Sequence, residues 1–265
     1  MTDFAIVNGL TLHYALNGVV GGKPLVLIHS LGTDLRLWDS MIPRLSNYRV
    51  LRMDLRGHGL SDISNASYSI HDLTSDILAL LDLLQIGRAV VVGISVGGLA
   101  AMDFAIRHPD RVASLVLSDT ASKIGTAAVW NDRIAAVSQH GLESIADNIA
   151  ARWFAPDFAA RQPAIYRGYR NLVTRTSPTG YIQMCEVLRD TDLTSEVRHI
   201  QARTLVVCGA LDVSTPPQLT RELAQAVPGA RFAEIADAAH LPPVEQPIAT
   251  VDVIVRFIEE NADVR

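Results

Sequence analysis

The sequence predicts an α/β fold: a mostly parallel central sheet with helices on both faces and a helical cap inserted between two strands. Three observations carry this. Short apolar runs at Leu25–His29, Ala89–Val92, Val112–Leu117 and Thr204–Val207 read as strands, and the continuous Leu25–His29 run as one covered on both faces. Segments of helical periodicity alternate with them. Between two of these strands, residues 121–193 show no strand pattern at all.

Each element follows from its residues. Phe4–Val7 and Thr11–Leu16 alternate as strands do, and Asn8-Gly9 between them is a hairpin turn signal. Leu25–His29 is the next strand. Tyr48–Met53 is another, less apolar because Arg49 and Arg52 interrupt it. Over Leu73–Leu84, residues Leu73, Ile77, Leu80, Leu81 and Leu84 fall on one helical face. Ala89–Val92 runs into a helix over Val96–Arg107, which ends before Pro109. Val112–Leu117, Thr204–Val207 and the shorter Arg231–Ile235 complete the strands, with helices over Leu219–Val227 and Ile248–Glu260. Residues 1–120 and 194–265 are therefore expected to form the core and 121–193 the cap, lying over the sheet's carboxyl edge. The cap reads as helices interrupted by Pro156, Pro163 and Pro178-Thr179-Gly180. It holds Trp130 and Trp153, two of the three tryptophans, and is more basic than the acidic remainder. No internal repeat or low-complexity segment is present.

A chain of 265 residues is long enough for one large α/β domain. The net charge of −5 argues against nucleic acid and anionic membranes as partners. No apolar run reaches the ~18 residues of a membrane span. Met1-Thr2-Asp3-Phe4 begins no basic-then-apolar leader, so no secretory signal is expected. Cys185 and Cys208 are the only cysteines, too few for a disulfide scaffold, and Cys208 reads as a small buried apolar residue. A cytoplasmic protein, monomeric or a small homo-oligomer, fits these features.

The chemistry centres on Gly93-Ile94-Ser95-Val96-Gly97. A β-branched strand before it and an Ala- and Leu-rich helix after it place Ser95 at the apex of a sharp turn, the geometry of an exposed nucleophile. Gly93 and Gly97 remove Cβ atoms that would clash there. The Val96 N–H, at the helix N-terminus, is placed to hold a developing oxyanion. A serine nucleophile needs a base and an orienting acid. Asp212 and His240 each follow a later strand, in the order Ser, Asp, His. Asp119, after the Val112–Leu117 strand, competes with Asp212 for the acid role, and Asp212 is preferred. The second oxyanion donor is expected after the Leu25–His29 strand, at the Leu31 N–H. His58, in a tight turn, reads as structural. No histidine pair has metal-ligand spacing on a helix, so no metal site is expected.

These residues, with Ser30-Leu31-Gly32-Thr33-Asp34, Trp38 and Asp54-Leu55-Arg56-Gly57-His58-Gly59-Leu60-Ser61-Asp62, resemble the α/β-hydrolase superfamily. The cap segments narrow the resemblance to the bacterial 3-oxoadipate enol-lactonases of the β-ketoadipate pathway. They are Lys123-Ile124-Gly125, Trp130-Asn131-Asp132-Arg133-Ile134, Arg152-Trp153-Phe154 and Val187-Leu188-Arg189-Asp190-Thr191-Asp192. His29 departs from the residue these lactonases often carry there. The resemblance spans about Phe4 to Phe257 and implies a serine hydrolase without a cofactor. Its implied substrate is a small anionic enol-lactone opened through an acyl-enzyme, with Ser95, Asp212 and His240 as the triad. Trp130, Arg133 and Trp153 are the implied substrate-binding residues, with Arg133 beside the substrate carboxylate. A carboxylesterase, a C–C bond hydrolase or a perhydrolase shares the scaffold, as does a ligand receptor that keeps the triad.

Overall fold

Among residues 2–260, which the computed structural model describes, eight strands form one sheet. Strands β1 (Thr2–Val7) and β2 (Leu10–Gly18) are a hairpin. Its turn residues Asn8 and Gly9 both take positive φ, 51° and 77°, as the tight turn between twisted strands requires. They are followed by β3 (Pro24–Ile28), β4 (Arg49–Met53), β5 (Ala89–Ile94), β6 (Val112–Ser118), β7 (Thr204–Gly209) and β8 (Arg231–Ile235). The spatial order is β1-β2-β4-β3-β5-β6-β7-β8. From β4 to β8 every neighbouring pair is parallel, and β2 joins β4 antiparallel.

This order creates the site. From β3 the chain steps outward to β4, then returns past β3 to β5 and continues away through β6, β7 and β8. The loops after β3 and β5 thus leave the sheet in opposite directions, which opens a crevice at the carboxyl ends of the strands.

Every residue of β5 and β7 is buried, which requires cover on both faces. Helix α1 (Ile70–Leu83), started by a Ser69–Asp72 capping box, packs on α2 (Val96–Arg107), and α2 packs on β5 and β6. A 3₁₀ segment, Leu35–Leu45, buries Trp38 and Met41, residues outside any predicted element.

Between β6 and β7 lie α3 (Ala127–His140), α4 (Glu143–Trp153), α5 (Phe158–Arg161), α6 (Pro163–Arg175) and α7 (Pro178–Asp190). The helical stretch breaks at Pro163 and Pro178, as the sequence suggested. Each opens a new helix, where the missing N–H has no intrahelical partner to lose. Helix α3 packs on α7, and α4 on α6. The segments leaving and rejoining the sheet are tied by Leu193 N–H to the Ser122 carbonyl (2.9 Å) and by the exposed Lys123–Asp192 pair (2.8 Å). The sheet ends with α8 (Pro217–Ala226) on β7 and β8, then α9 (Pro242–Glu245) and α10 (Pro247–Glu259) beside the 3₁₀ segment.

The turn from β5 into α2 is packed without slack. A Cβ on Gly93 would be driven into the Gly97 carbonyl, and one on Gly97 into the carbonyls of Ile28 and His29. Because backbone rather than a flexible side chain is in the way, Gly93→Ala is expected to destabilise the fold by at least about 2 kcal/mol, roughly 5 °C in Tm for a chain of this size. Thermal unfolding followed by circular dichroism checks this, and an unchanged Tm would show that the turn relaxes.

Candidate active site

Ser95 sits between β5 and α2 with φ 58° and ψ −122°, a strained conformation for a residue with a side chain. Such a conformation costs on the order of 1–3 kcal/mol and persists only where neighbours enforce it. Here they do. Its N–H donates to the Ser118 carbonyl (3.0 Å), and its carbonyl accepts from Gly98 N–H (2.9 Å) and Thr120 Oγ1 (2.7 Å).

The two expected oxyanion donors flank it. Neither the Val96 N–H nor the Leu31 N–H has a protein acceptor among the described residues. The Leu31 N–H is aimed by a device that sequence reasoning missed. The Ser30 carbonyl accepts from Thr33 N–H (3.2 Å), Thr33 Oγ1 (2.8 Å) and His29 Nδ1 (2.7 Å). Ser30 C=O and Leu31 N–H share one planar trans peptide and point opposite ways. Pinning the carbonyl therefore fixes the N–H. His29 in turn accepts from Leu55 N–H at Nε2 (2.9 Å), so both ring nitrogens are committed to the neutral imidazole.

His29 and His58 are buried against each other, ring centroids 5.5 Å apart. His58 donates from Nδ1 to the Arg56 carbonyl (3.3 Å), and its Nε2 has no partner. Burial, aided by the neighbouring His29, pushes the His58 imidazole down to about 3, and burial lowers His29 as well. His58 is thus structural, as its turn suggested.

Asp212, in the loop after β7, accepts from His240 Nδ1 (2.8 Å) at Oδ2. Thr215 Oγ1 donates to the same oxygen (2.7 Å), and the Ser214 and Thr215 N–H groups donate to Oδ1 (2.7 and 3.2 Å). Burial alone raises Asp212, but the adjacent His240 and these donors outweigh it and hold the carboxyl below its ordinary range. Asp212 does not cap α8, whose Pro216 N-cap has no side-chain bond. Asp119 makes no contact with His240. It accepts from Gly209 N–H (2.8 Å) and Ser118 Oγ (2.6 Å). Asp119, Cys208 and Asp212 bring their ligand-type atoms within 4.8 Å of one another. That set suits a cation poorly, since burial keeps the Cys208 thiol protonated and Asp212 is already engaged by His240.

Glu245 is a second residue the sequence did not reveal. Its carboxyl takes Ala239 N–H (2.6 Å), next to His240, and Ala155 N–H (2.8 Å), just past α4. It therefore clamps the histidine loop to the helical insertion.

Ser95, His240 and Leu31 open into one cavity of about 100 Å³. Trp130, Arg133 and Trp153 line its far side, together with Arg152 and Tyr181, and no carboxylate does. Arg133 lies 5.0 Å from the Trp130 ring, which is itself fixed by Nε1–H to the Ile124 carbonyl (2.6 Å). Among the described residues Arg133 pairs with no carboxylate. Arg152 donates to the Val213 carbonyl (2.9 Å), and Arg189 is paired with Asp190 outside this cavity. A larger cavity of about 440 Å³ lies near Gly32 but reaches neither Ser95 nor His240.

Comparison with known proteins agrees with this architecture. The family described as alpha/beta hydrolase fold matches residues 23–247. The chain is 35% identical over 248 residues to 3-oxoadipate enol-lactonase 2 of Acinetobacter baylyi, covering 93% of this chain and 92% of that one. It superposes on the enol-lactonase from Burkholderia xenovorans LB400 with a TM-score of 0.94 at 39% identity, covering 97% and 99% of the two chains. An esterase from Thermogutta terrifontis superposes with a TM-score of 0.91 at 26% identity, over 98% of each. No helix among the described residues is long and apolar enough to cross a membrane.

The buried His58 makes acid stability predictable. Its folded value of about 3 lies below the ~6.5 of an unfolded histidine. Between those values the unfolded chain binds the extra proton, so stability rises with pH and is lost as pH falls below about 6.5. His58→Gln is expected to flatten the stability slope between about pH 5 and 6 by close to one proton, about 1.4 kcal/mol per pH unit. Urea unfolding at a series of pH values measures the slope. An unaltered slope would mean that folded His58 takes up the proton.

Proposed function

The chain belongs to the alpha/beta hydrolase fold family, and within it we propose that the protein opens the enol-lactone of 3-oxoadipate to 3-oxoadipate. Its enol-lactonase relatives support an ester-hydrolysing enzyme. The observation that carries the finer reading is the small cavity itself. It joins Ser95 and His240 to an arginine that has no carboxylate partner among the described residues, in a described lining without acids.

In this reading Ser95 Oγ attacks the lactone carbonyl while His240 Nε2 takes its proton. The Leu31 and Val96 N–H groups hold the oxyanion, a contribution often worth ~3 kcal/mol per donor. Asp212 keeps the His240 proton on Nδ1, so that Nε2 faces the serine. Collapse breaks the ring C–O bond, and the imidazolium returns its proton to the leaving enol. The enol becomes a ketone, which makes reclosure unfavourable. Water activated by His240 then cleaves the acyl-enzyme. The free carboxylate of the substrate lies toward Arg133, in a charge-assisted hydrogen bond.

Turnover of purified protein on the enol-lactone and a panel of simple esters tests the activity. Ser95→Ala is expected to lower it by about 10⁴ or more in a folded protein, and Asp212→Asn to lower it by a comparable order through loss of the imidazole tautomer. A folded Ser95→Ala protein with near-normal hydrolysis removes Ser95 as nucleophile.

Arg133→Ala tests the substrate's charge. A charge-assisted hydrogen bond of ~1.5–3 kcal/mol corresponds to roughly 10- to 100-fold in kcat/KM on the anionic lactone. A neutral ester of the same shape should lose little. Equal losses on both would make Arg133 a support for the cavity wall. A wild-type preference for the neutral ester would replace the lactonase reading by that of a general esterase.

A further inference from the structure

Asp119, directly after β6, is a carboxyl with no solvent exposure that the proposed chemistry leaves unused. Strand order places it between Ser95, after β5, and Asp212, after β7. We propose that Asp119 is a neutral carboxylic acid that hydrogen-bonds to Asp212 and so acts as a positioning residue for the Asp212–His240 pair. The proposal rests on the reading of Ser95, His240 and Asp212 as the catalytic set.

The surroundings of Asp119 decide its charge. Among the described residues it has no ion pair. Gly209 N–H reaches its Oδ1 and Ser118 Oγ its Oδ2. The other titratable groups around it are the Asp212 carboxyl and the Cys208 thiol, each with a polar atom within 4.8 Å of Asp119, and His240 lies beyond Asp212. Two ionised carboxylates this close, buried and with no cation between them, repel strongly, so the pair holds one charge. Asp212 has His240 and three further donors to stabilise that charge, and Asp119 has two neutral donors. The proton therefore belongs to Asp119. Consistent with this, burial and the neighbouring Asp212 push Asp119 well above the ordinary carboxylate range.

A neutral acid here adds a donor to Asp212. It helps fix the carboxylate that holds His240 and lowers its basicity, so the Nδ1 proton stays on the ring. The backbone marks Asp119 as a specified position too, with φ 45°, a region that Asp and Asn enter more readily than most residues. Asparagine is therefore the conservative replacement. It matches a protonated aspartate in shape, donates to Asp212 through Nδ2, and still accepts from Gly209.

The test compares Asp119→Ala with Asp119→Asn in the full chain, using ester hydrolysis across pH and infrared difference spectra. Asp119→Ala removes a donor from Asp212, makes that carboxylate more basic, and moves the acid limb of kcat/KM to higher pH by about half a unit or more, with a plateau loss of about tenfold. Asp119→Asn restores the limb to within about 0.2 unit of wild type. The wild-type-minus-Asn infrared spectrum at neutral pH contains a protonated-carboxyl stretch.

A limb moved down by about one unit in Asp119→Asn, the mark of a lost negative charge, overturns the proposal. So does an Asp119→Ala profile that overlays wild type, or the absence of the carboxyl stretch. If Asp119→Ala does not fold, the Asn profile and the infrared band still decide. Ser95→Ala in the same assay separates the two levels. Retained hydrolysis there overturns the catalytic set, whereas the infrared band reports on Asp119 alone.

Discussion

The site depends on a backbone conformation that Ser95 would not choose for itself. At φ 58° and ψ −122° the residue turns its side chain out of the strand and starts α2 within one step. The strain is held by the sheet, since Ser118 is the last residue of β6 and Thr120 lies two residues beyond it. Gly93 and Gly97 are the other half of the constraint, because any Cβ there would force the turn open. The same closeness brings α2 against the backbone of Ile28 and His29, the end of β3. One tight turn therefore positions the serine, the Val96 N–H, and the loop that carries the Leu31 N–H. A rigid parallel sheet can impose this because its neighbouring strands are buried on both faces and cannot shift singly.

Charge at the site follows from burial. The carboxyl edge of the sheet gathers Asp119, Asp212, Cys208, His29, His58 and His240 in a region that water scarcely reaches. His29, His58 and the Cys208 thiol are neutral, because burial outweighs the few nearby groups that favour their charged forms. Asp212 alone has the donors to remain ionised, and its opposite face is His240. The site thus holds a single anion directed at a single base, and the protonated Asp119 that we propose is a consequence of that economy. The peptide of Ser30 and Leu31 obeys the same logic without charge. Three donors on one side of a planar group determine where the other side points.

The sequence made the frame legible wherever local pattern and tertiary role coincide. Unbroken β-branched runs marked β3, β5, β6 and β7, and Asn8-Gly9 marked the hairpin, because burial and turn chemistry are written in adjacent residues. The placing of Ser95, Asp212 and His240 was legible because each follows a strand the sequence predicts, His240 after the shorter Arg231–Ile235. The Leu35–Leu45 segment was not, since a 3₁₀ stretch with Pro43 inside it lacks the helical period. The roles of His29, Thr33 and Glu245 were hidden for another reason. Each acts through a backbone group brought near by folding, and no spacing encodes such a bond. Asp119 was visible only as a rival acid. Its place beside Asp212 needs the β6–β7 pairing, in which Asp119 N–H also reaches the Val207 carbonyl (2.9 Å).

The anionic substrate we propose sets a problem of overall charge. A protein of net charge −5 that takes such a ligand must reverse its field locally. Several of the cations between β6 and β7 are engaged at the surface. Arg170 pairs with Glu143 and Asp147, Arg161 with Asp157, Arg189 with Asp190 and Lys123 with Asp192. These pairs involve acids open to solvent, where such contacts contribute little to stability. Their effect is to keep those acids engaged at the surface. Arg133 and Arg152, which line the cavity of Ser95 and His240, have no carboxylate partner among the described residues. An inward guanidinium already paired would offer a substrate carboxylate only exchange of one anion for another. Without a carboxylate partner among the described residues, Arg133 lies against the Trp130 ring and interacts with Tyr181. In the proposed reading its positive field is available to the ligand, while the indole face lessens the penalty of holding the cation there.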